Sequence, residues 1–368
     1  MDIHDRYRLT RVINAAGSFT PLGVSRSSPA VAGAAAEALQ AFFVMDELQD
    51  AASAAIARLT GAEAGAVVHC AAAGITLAVA AAMAGGAAQA VAALPDAIGL
   101  SDRVVLPAGH AVNYGHPIVQ DVRLAGATPV LAGTDAGCTM PEIEAALADA
   151  ATACLLLVSS RLVRGAPVEL GQAVAAAHRR GVPAIIDGAA QDLRIGELLA
   201  TGADLVVISA QKYLASPTAG LVIGKAGLVA AVRAHEKGIG RAMKATKEAI
   251  CGVLVAIGER EALDMAEWCA VQEAKVSRLV ERAGRFAGVD ARAVPDPAGM
   301  PFARAHLAID PAVAGRDARA VADALRDGSP SIRVMEHGLD ASEIVLELVG
   351  LGEDEVAAIL ARLEAVAG

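Results

Sequence analysis

Short apolar runs of four to six residues alternate along the chain with alanine-rich segments of helical character. Strands that are buried on both faces of a sheet are apolar throughout, and helices between them indicate parallel neighbours joined by crossovers. The pattern therefore predicts an α/β fold with a seven-stranded, mostly parallel sheet and helices on both faces. The predicted strands are Ala64–His69, Arg103–Leu106, Thr128–Leu131, Ala153–Val158, Pro183–Ile186, Leu205–Ile208 and Gly220–Ile223.

The segments around this pattern have a different character. Residues 1–30 are rich in Gly, Pro, Ser and Thr, which predicts an irregular arm. Residues 31–255 are predicted to form a large domain, and residues 256–368 a small α+β domain. Helices are expected at Ala30–Gln40, Glu47–Thr60, within Leu228–Arg285 and at Asp354–Val366, and further strands at Ala303–Asp310, Ser331–Glu336 and Glu343–Val349.

Composition excludes several classes of protein. A net charge of −10 argues against nucleic acid as a partner. No apolar run approaches the roughly 18 residues of a membrane span, and the N-terminus resembles no signal peptide. The five cysteines are scattered without a C-x-x-C pair, so we expect a cytoplasmic protein with reduced thiols and no metal site. No dinucleotide, P-loop or nucleophile-elbow motif occurs.

A lysine and an aspartate follow two of the predicted strands. Lys212 lies four residues beyond the strand that ends at Ile208, and Asp187 directly follows Ile186. Side chains that follow parallel strands can share one crevice at the edge of a sheet. Pyridoxal phosphate needs this pair, with the lysine holding its aldehyde as a Schiff base and the aspartate keeping its pyridine nitrogen protonated. Taken singly, each residue fits a solvent-facing lysine or a helix-capping aspartate.

Three further segments carry candidate ligands. The turn from His69 to Thr76 follows the first sheet strand and opens a helix, so its small residues suit a phosphate, and Ser209 adds a hydroxyl. In the loop after the second strand, His110 is the first candidate and Tyr114 the second to stack on a ring. Arg241, Lys244 and Glu248 are predicted to share one helix face that holds a substrate anion. The alternatives are a tight packing turn, a polar surface loop and a solvated helix face.

Several motifs resemble one family. Arg11–Gly17, Glu47–Gln49 with Ala57–Ala64, Pro117–Ala127 and Gly240–Glu248 are similar to motifs of the selenocysteine-synthase-like (L-seryl-tRNA(Sec) selenium transferase-like) branch of fold-type-I pyridoxal phosphate enzymes. That branch includes D-glucosaminate-6-phosphate ammonia-lyase. The resemblance spans residues 10 to 350. The run Asp187–Asp192 lacks the acidic residues usual after the aspartate, and the loop Ser216–Gly220 is less glycine-rich than usual.

The resemblance implies a fold-type-I architecture, with Lys212 as the Schiff-base lysine, Asp187 as the partner of the pyridine nitrogen, and the 70–76 turn and Ser209 as the phosphate site. Together with the residues singled out above, the catalytic candidates are Lys212, Asp187 and His110. Substrate-binding candidates are Asn14, Tyr114, Arg241, Lys244 and Arg333. The cofactor-binding candidates are Cys70, Ala71, Ala72, Gly74, Thr76, His110, Asp187, Ser209, Lys212 and Thr218. Because the family assembles its site across a dimer, the arm at Asn14–Gly23 and the loop at Ser216–Thr218 are expected to reach a neighbour's cofactor.

The expected activity is that of a pyridoxal phosphate-dependent lyase of the ammonia-lyase type. It would remove the α-hydrogen of a small amino acid, with a D-amino acid or a phosphorylated sugar amino acid as candidates, and eliminate a β-substituent to give a 2-oxo acid and ammonia. Aldolase, racemase and selenium or sulfur transferase reactions are alternatives within the same cofactor class. A non-catalytic α/β binding or scaffold protein is the alternative from another class.

Overall fold

The computed structural model describes residues 2–367 of the chain. The strands of this part are β1 (Val12–Ala15), β2 (Ala64–Val68), β3 (Arg103–Pro107), β4 (Thr128–Ala132), β5 (Thr152–Val158), β6 (Ala184–Asp187), β7 (Leu205–Ser209), β8 (Gly220–Gly224), β9 (Val289–Pro295), β10 (Ala303–Ile309), β11 (Ser331–Val334) and β12 (Glu343–Leu346). The α-helices are α1 (Ile3–Tyr7), α2 (Pro29–Leu39), α3 (Met45–Thr60), α4 (Ala71–Ala84), α5 (Ala88–Ala93), α6 (Ile118–Leu124), α7 (Met140–Ala146), α8 (Leu170–His178), α9 (Ile195–Ala200), α10 (Ala226–Ala234), α11 (Lys247–Ala262), α12 (Met265–Ala283), α13 (Pro311–Ala314), α14 (Ala318–Arg326) and α15 (Glu353–Ala367).

The central sheet contains the predicted apolar runs, in the order β2-β8-β7-β6-β5-β3-β4 among the described residues. Strand β8 is antiparallel to both of its neighbours, and the other neighbouring pairs are parallel. The carboxyl ends of β2 to β7 therefore lie at one edge, together with the amino end of β8. We call this the carboxyl edge of the sheet. The predicted seven-stranded, mostly parallel sheet is confirmed.

Both faces of this sheet are covered, which explains why its strands are apolar throughout. In β5, Leu155 and Leu157 join a core cluster with residues of α2, α3, α7, α8, α9 and α11. Their neighbours Leu156 and Val158 point to the opposite face and pack with α4, α6 and α10. Side chains that alternate between two covered faces leave no position for a polar residue along the strand.

The chain divides into two compact units. One runs from Ser27 to Ala262, and the other combines the segment that ends at Arg26 with the segment that begins at Leu263. The predicted domains of 31–255 and 256–368 stay a prediction; the structure groups most of the 1–30 arm with the C-terminal segment. Within residues 2–367, no helix combines the length and the apolar character that crossing a bilayer requires.

The second unit, which combines the segment up to Arg26 with the segment from Leu263 and is called the C-terminal unit below, contains elements that the sequence did not predict. Strand β1 forms within the expected irregular arm and pairs in parallel with β11. Strand β9 lies at the edge of the sheet β12-β10-β9 and is mostly exposed, so it lacks the apolar run by which the others were predicted. Helix α14 was also missed. The predicted strands at 303–310, 331–336 and 343–349 are present as the shorter β10, β11 and β12.

The predicted helical region after residue 228 is interrupted. Helices α10 and α11 are separated by the 3₁₀ turns His235–Lys237 and Ile239–Ala242 and by an extended stretch. A Cβ atom at Gly240 would lie 2.6 Å from the His235 carbonyl oxygen, so glycine permits a turn that is too tight for other residues.

Candidate active site

Lys212 and Asp187 meet at the carboxyl edge of the sheet. Asp187 is the last residue of β6, and β6 pairs in parallel with β7. Lys212 follows β7 in a tight turn in which its N–H donates to the Ser209 carbonyl at 3.1 Å. The positive charge of Lys212 acts on Asp187 and opposes the rise in the pKa of its carboxyl group. The structure thus brings the two predicted residues into electrostatic contact.

The Asp187 carboxyl group is buried, with 4% of the residue exposed. Burial raises its pKa to about 6, and the carboxyl group of Asp121 adds to the rise. The Ala189 N–H donates to Oδ1 at 2.9 Å and, with Lys212, lowers the pKa only partly. A carboxylate in this condition is stabilised by a cationic hydrogen-bond donor, as a protonated pyridine nitrogen is.

The amino end of α4 forms an anion cradle beside this pair. Its first helical hydrogen bond runs from Gly74 N–H to the Cys70 carbonyl, so the N–H groups of Ala71 and Ala72 have no acceptor within the helix. Gly220 pairs with Val68 of β2 and with Ser209 of β7, which places Ser209 and the turn at Cys70 on either side of it. These residues fit the predicted phosphate site.

Two of the predicted cofactor-binding residues act differently. A Cβ atom at Gly74 would lie 2.8 Å from Val207 Cγ1, so this glycine faces the sheet and lets α4 lie close to it. The buried Thr76 hydroxyl donates to the Asp121 carbonyl at 3.1 Å. Both residues support the cradle by packing, because neither is directed at the open first turn of α4.

His110 is connected to Asp187 through strand β5. Its Nδ1 accepts a hydrogen bond from Val158 N–H at 2.8 Å, and Val158 pairs with Asp187 across β5 and β6. Burial lowers the pKa of His110 to about 4, so the ring is neutral at physiological pH and carries its proton on Nε2. A flat neutral ring in this position suits the predicted role of stacking on a cofactor.

Tyr114 belongs to a hydrogen-bonded cluster with Asp121 and His116. The Tyr114 hydroxyl contacts Asp121 Oδ2, and His116 Nε2 lies 3.1 Å from the Tyr114 hydroxyl and 3.2 Å from Asp121 Oδ1. Burial raises the pKa of Tyr114, and the charges of Asp121 and Asp187 raise it further. The phenol therefore stays protonated close to the Asp187 carboxylate, where it can hydrogen-bond to a substrate.

The predicted common helix face of Arg241, Lys244 and Glu248 is wrong. Arg241 lies in a 3₁₀ turn, Lys244 forms an isolated β-bridge with Val68, and only Glu248 lies in α11. The chain is extended here because the Met243 carbonyl accepts from His69 N–H at the end of β2. Lys244 is exposed, and this bridge holds it near the turn at Cys70.

The remaining candidates are placed as follows. Thr218 is exposed in the loop before β8. Asn14 and Arg333 lie in the C-terminal unit, where they are opposite each other in the parallel pair of β1 and β11. The Asn14 side chain donates to the Gly17 carbonyl at 2.8 Å and accepts from Ala16 N–H, whereas Arg333 Nε donates to Ser331 Oγ. Neighbouring polar side chains on two strands can bind one anionic group.

Three charged residues near the site, the buried Asp121 and Asp192 and the half-buried Arg260, were not identified from the sequence. The negative charge of Asp121 raises the pKa of Asp187, and the positive charge of Lys212 lowers the pKa of Asp192. Arg260 of α11 pairs with Asp192 at 3.0 Å. The position of Asp192, five residues after Asp187, was a usable signal. Arg260 had none, because only tertiary packing brings it to these loops.

Comparison with known proteins places the chain in a family. The family model for L-seryl-tRNA selenium transferase matches residues 182–266, which include Asp187 and Lys212. The 5'-C-glycyluridine monooxygenase-decarboxylase of Streptomyces sp is 35% identical over 96% of this chain and 89% of its own length. The D-glucosaminate-6-phosphate ammonia lyase of Salmonella typhimurium (strain 14028s / SGSC 2262) is 34% identical over 100% of this chain and 98% of its own length.

Solved structures agree with this relationship. The structure of a D-glucosaminate-6-phosphate ammonia-lyase superposes with a TM-score of 0.90 at 33% identity, covering 100% of this chain and 98% of that chain. The Sphingomonas wittichii serine palmitoyltransferase superposes with a TM-score of 0.59 at 15% identity, covering 96% and 86%, and shares the fold.

The residues at the carboxyl edge suit three groups of pyridoxal phosphate. Asp187 matches the pyridine nitrogen, Lys212 the aldehyde and the first turn of α4 the phosphate. The family, the fold, the cofactor and the lyase type of enzyme that the sequence predicted are confirmed at the level of the family. The chain belongs to the selenocysteine-synthase-like branch of fold-type-I pyridoxal phosphate enzymes, the branch of D-glucosaminate-6-phosphate ammonia-lyase.

Proposed function

We propose that this enzyme eliminates a β-substituent from a small, anionic amino acid and releases a 2-oxo acid and ammonia. The observation that supports this most directly is the Lys212–Asp187 pair at the carboxyl edge of a chain that resembles an ammonia-lyase from end to end. The substrate class follows the name of that relative, a phosphorylated sugar amino acid. The exposed cations Arg241 and Lys244 are the proposed ligands of its phosphate.

Each residue of the site has one task in this proposal. Pyridoxal phosphate, when bound, supplies the electron sink for negative charge at the substrate Cα. Lys212 takes the proton from Cα and Asp187 holds a proton at the pyridine nitrogen. His110 covers the ring with a neutral flat side chain, and the Tyr114 hydroxyl, which donates its proton to Asp121, offers its oxygen as an acceptor to the substrate. The proton that Lys212 takes from Cα leaves with the departing β-oxygen. Water then releases ammonia from the unsaturated product.

A second candidate is decarboxylation of an amino acid. It is favoured by the 35% identity with the Streptomyces relative, whose name includes a decarboxylase. Retro-aldol, racemase and transferase reactions begin from the same bound substrate and remain alternatives. One assay separates them, because only elimination yields both a 2-oxo acid and ammonia and only decarboxylation yields carbon dioxide.

The cellular setting is also a proposal. We infer a cytoplasmic homodimer whose Asn14–Gly23 arm and Ser216–Thr218 loop reach the neighbour's cofactor, as the family resemblance implies. The cysteines of the described residues, Cys70, Cys138, Cys154, Cys251 and Cys269, are free thiols, which suits a reducing compartment.

The experiment is a substrate screen of the cofactor-loaded protein. D- and L-amino acids, including phosphorylated sugar amino acids, are added, and 2-oxo acid, ammonia and carbon dioxide are measured. We expect equal amounts of 2-oxo acid and ammonia from at least one anionic substrate, and none with Lys212→Ala. Release of carbon dioxide without ammonia would contradict elimination and support decarboxylation.

A further inference from the structure

One arginine contacts both of the loops that carry the lysine–aspartate pair. Arg260 Nη2 donates to the carbonyl of Tyr213, the residue after Lys212, at 2.8 Å. The same nitrogen donates to Asp192 Oδ2 at 3.0 Å, and Nη1 donates to the Asp192 carbonyl at 3.2 Å. Asp192 lies in the loop that follows Asp187. Arg260 thus bridges the loop after β6 and the loop after β7.

The bridge is shielded from solvent. The Asp192 side chain is 0% exposed and the Arg260 side chain 12%. A guanidinium group holds its donors in a rigid plane, so its three hydrogen bonds define the separation and the orientation of the two loops. Glu261, the next residue of α11, pairs with Arg58 at the surface. Such a pair does not fix the geometry of its partners, because solvent competes for both of them.

Asp192 has a second feature that points towards Lys212. Its Oδ1 is buried and has no hydrogen-bond partner within residues 2–367. The positive charge of Lys212 opposes the rise that burial causes in the pKa of this carboxyl group, as it does for Asp187. A buried oxygen without a donor is costly unless a positive charge compensates for it. Lys212 therefore lies in the field of two buried carboxyl groups, of which only Asp187 was expected.

We propose that Arg260 is a positioning residue that holds the Lys212 turn against the Asp187 loop, with Asp192 as its anchor and as a second carboxylate acting on Lys212. This inference rests on the proposed roles of Lys212 and Asp187 and deepens them. Displacement of a reacting group by about 1 Å can lower a rate by about 100-fold. The charged groups around Lys212 in this arrangement are Asp187, Asp192 and Arg260, and Asp121 acts through Asp187.

Asp192→Asn tests the charge. The asparagine carbonyl oxygen can still accept from Arg260, but it carries no negative charge. We expect the visible band that pyridoxal phosphate forms with Lys212 to titrate with a pH midpoint about one unit lower than in the wild type, because the protonated form loses a stabilising carboxylate. A midpoint equal to that of the wild type would overturn the role of Asp192.

Arg260→Lys tests the bridge, with Glu261→Gln as the matched control on the same helix. An ammonium group cannot reproduce the planar fork, so we expect pyridoxal phosphate to bind about tenfold more weakly and kcat to fall by about 100-fold with little change in KM. Glu261→Gln should leave all three unchanged. Wild-type affinity and kcat in Arg260→Lys would overturn the bridge.

Cofactor-free protein separates this inference from the proposed function. Backbone amides of residues 188–194 and 211–216 should exchange hydrogen faster in Arg260→Lys than in the wild type and Glu261→Gln. That result supports the bridge even if no lyase activity is found, and equal exchange in all three proteins contradicts it. If Arg260→Lys does not fold, the midpoint of Asp192→Asn decides.

Discussion

At the scale of single residues, the burial of Asp187 destabilises its ionised form in the protein and favours the binding of a cationic ligand beside it. Its carboxyl group accepts one described backbone hydrogen bond, from Ala189, and its pKa is raised to about 6. A carboxyl group whose pKa is higher in the folded state than in the unfolded state destabilises the fold once it ionises. The ionised carboxyl group of Asp187 therefore costs the folded protein free energy, and a cationic ring nitrogen bound beside it offsets this cost.

Asp187→Asn should stabilise the cofactor-free protein at neutral pH. Asparagine keeps an acceptor for Ala189 N–H and has no charge. Both proteins are neutral at this position below the unfolded pKa of 3.8, and the wild type loses stability as the pH rises from there to about 6. The variant should then be more stable by up to about 3 kcal/mol. Urea unfolding of both proteins between pH 4 and 7 measures this, and a pH-independent difference would contradict it.

The residues of the site differ in how well the sequence predicted them. Lys212 and Asp187 could be identified because each follows a buried strand, and parallel strands end at a common edge. Asp121 and Arg260 could not, because no spacing along the chain links them to this pair. Asp192 was missed although its position five residues after Asp187 was a usable signal. Gly74 and Thr76 were assigned to the phosphate because the side of α4 that packs on the sheet is not visible in an alanine-rich segment.

At the scale of elements, glycines determine how closely α4 approaches the sheet. A Cβ atom at Gly220 would overlap the Cys70 backbone and lie 2.8 Å from Ala71 N. Apolar runs predicted the strands of the central sheet because both faces are covered. They failed for β9, which is exposed at an edge, and for residues 237–246, where glycine turns and a β-bridge replace a helix.

Gly220→Ala should weaken the phosphate cradle. The added methyl group displaces the first turn of α4, so we expect pyridoxal phosphate to bind about tenfold more weakly, with a smaller loss for pyridoxal, which lacks the phosphate. Gly227→Ala in α10 is the control, because no atom of residues 2–367 lies within 4 Å of the added methyl group. Equal losses for both ligands in Gly220→Ala would show that the cradle does not hold the phosphate.

At the scale of the whole molecule, the two compact units divide the predicted ligands between them. Lys212, Asp187 and the cradle belong to the unit of residues 27–262, whereas Asn14 and Arg333 belong to the other. Because the family resemblance implies a site shared across a dimer, the unit that carries Asn14 is proposed to serve the neighbour's cofactor. Symmetry then makes each protomer both donor and recipient.

Mixed dimers test this sharing. Asn14→Ala removes the side chain that holds the turn at Gly17, and Lys212→Ala removes the lysine. Each variant alone should be nearly inactive. In a random mixture, half of the dimers contain one intact site, so about a quarter of the wild-type activity should return. No recovery in a mixture that sizing chromatography shows to be dimeric would place Asn14 at its own protomer's site.

The most direct test of the account is the visible absorbance of the lysine-bound cofactor. Wild-type protein, Lys212→Ala and the control Lys225→Ala, whose exposed lysine pairs with the buried Asp204 before β7, are loaded with pyridoxal phosphate and dialysed. We predict that the band remains in the wild type and in Lys225→Ala and is absent from Lys212→Ala. A band that persists in dialysed, substrate-free Lys212→Ala would contradict the assignment of this lysine.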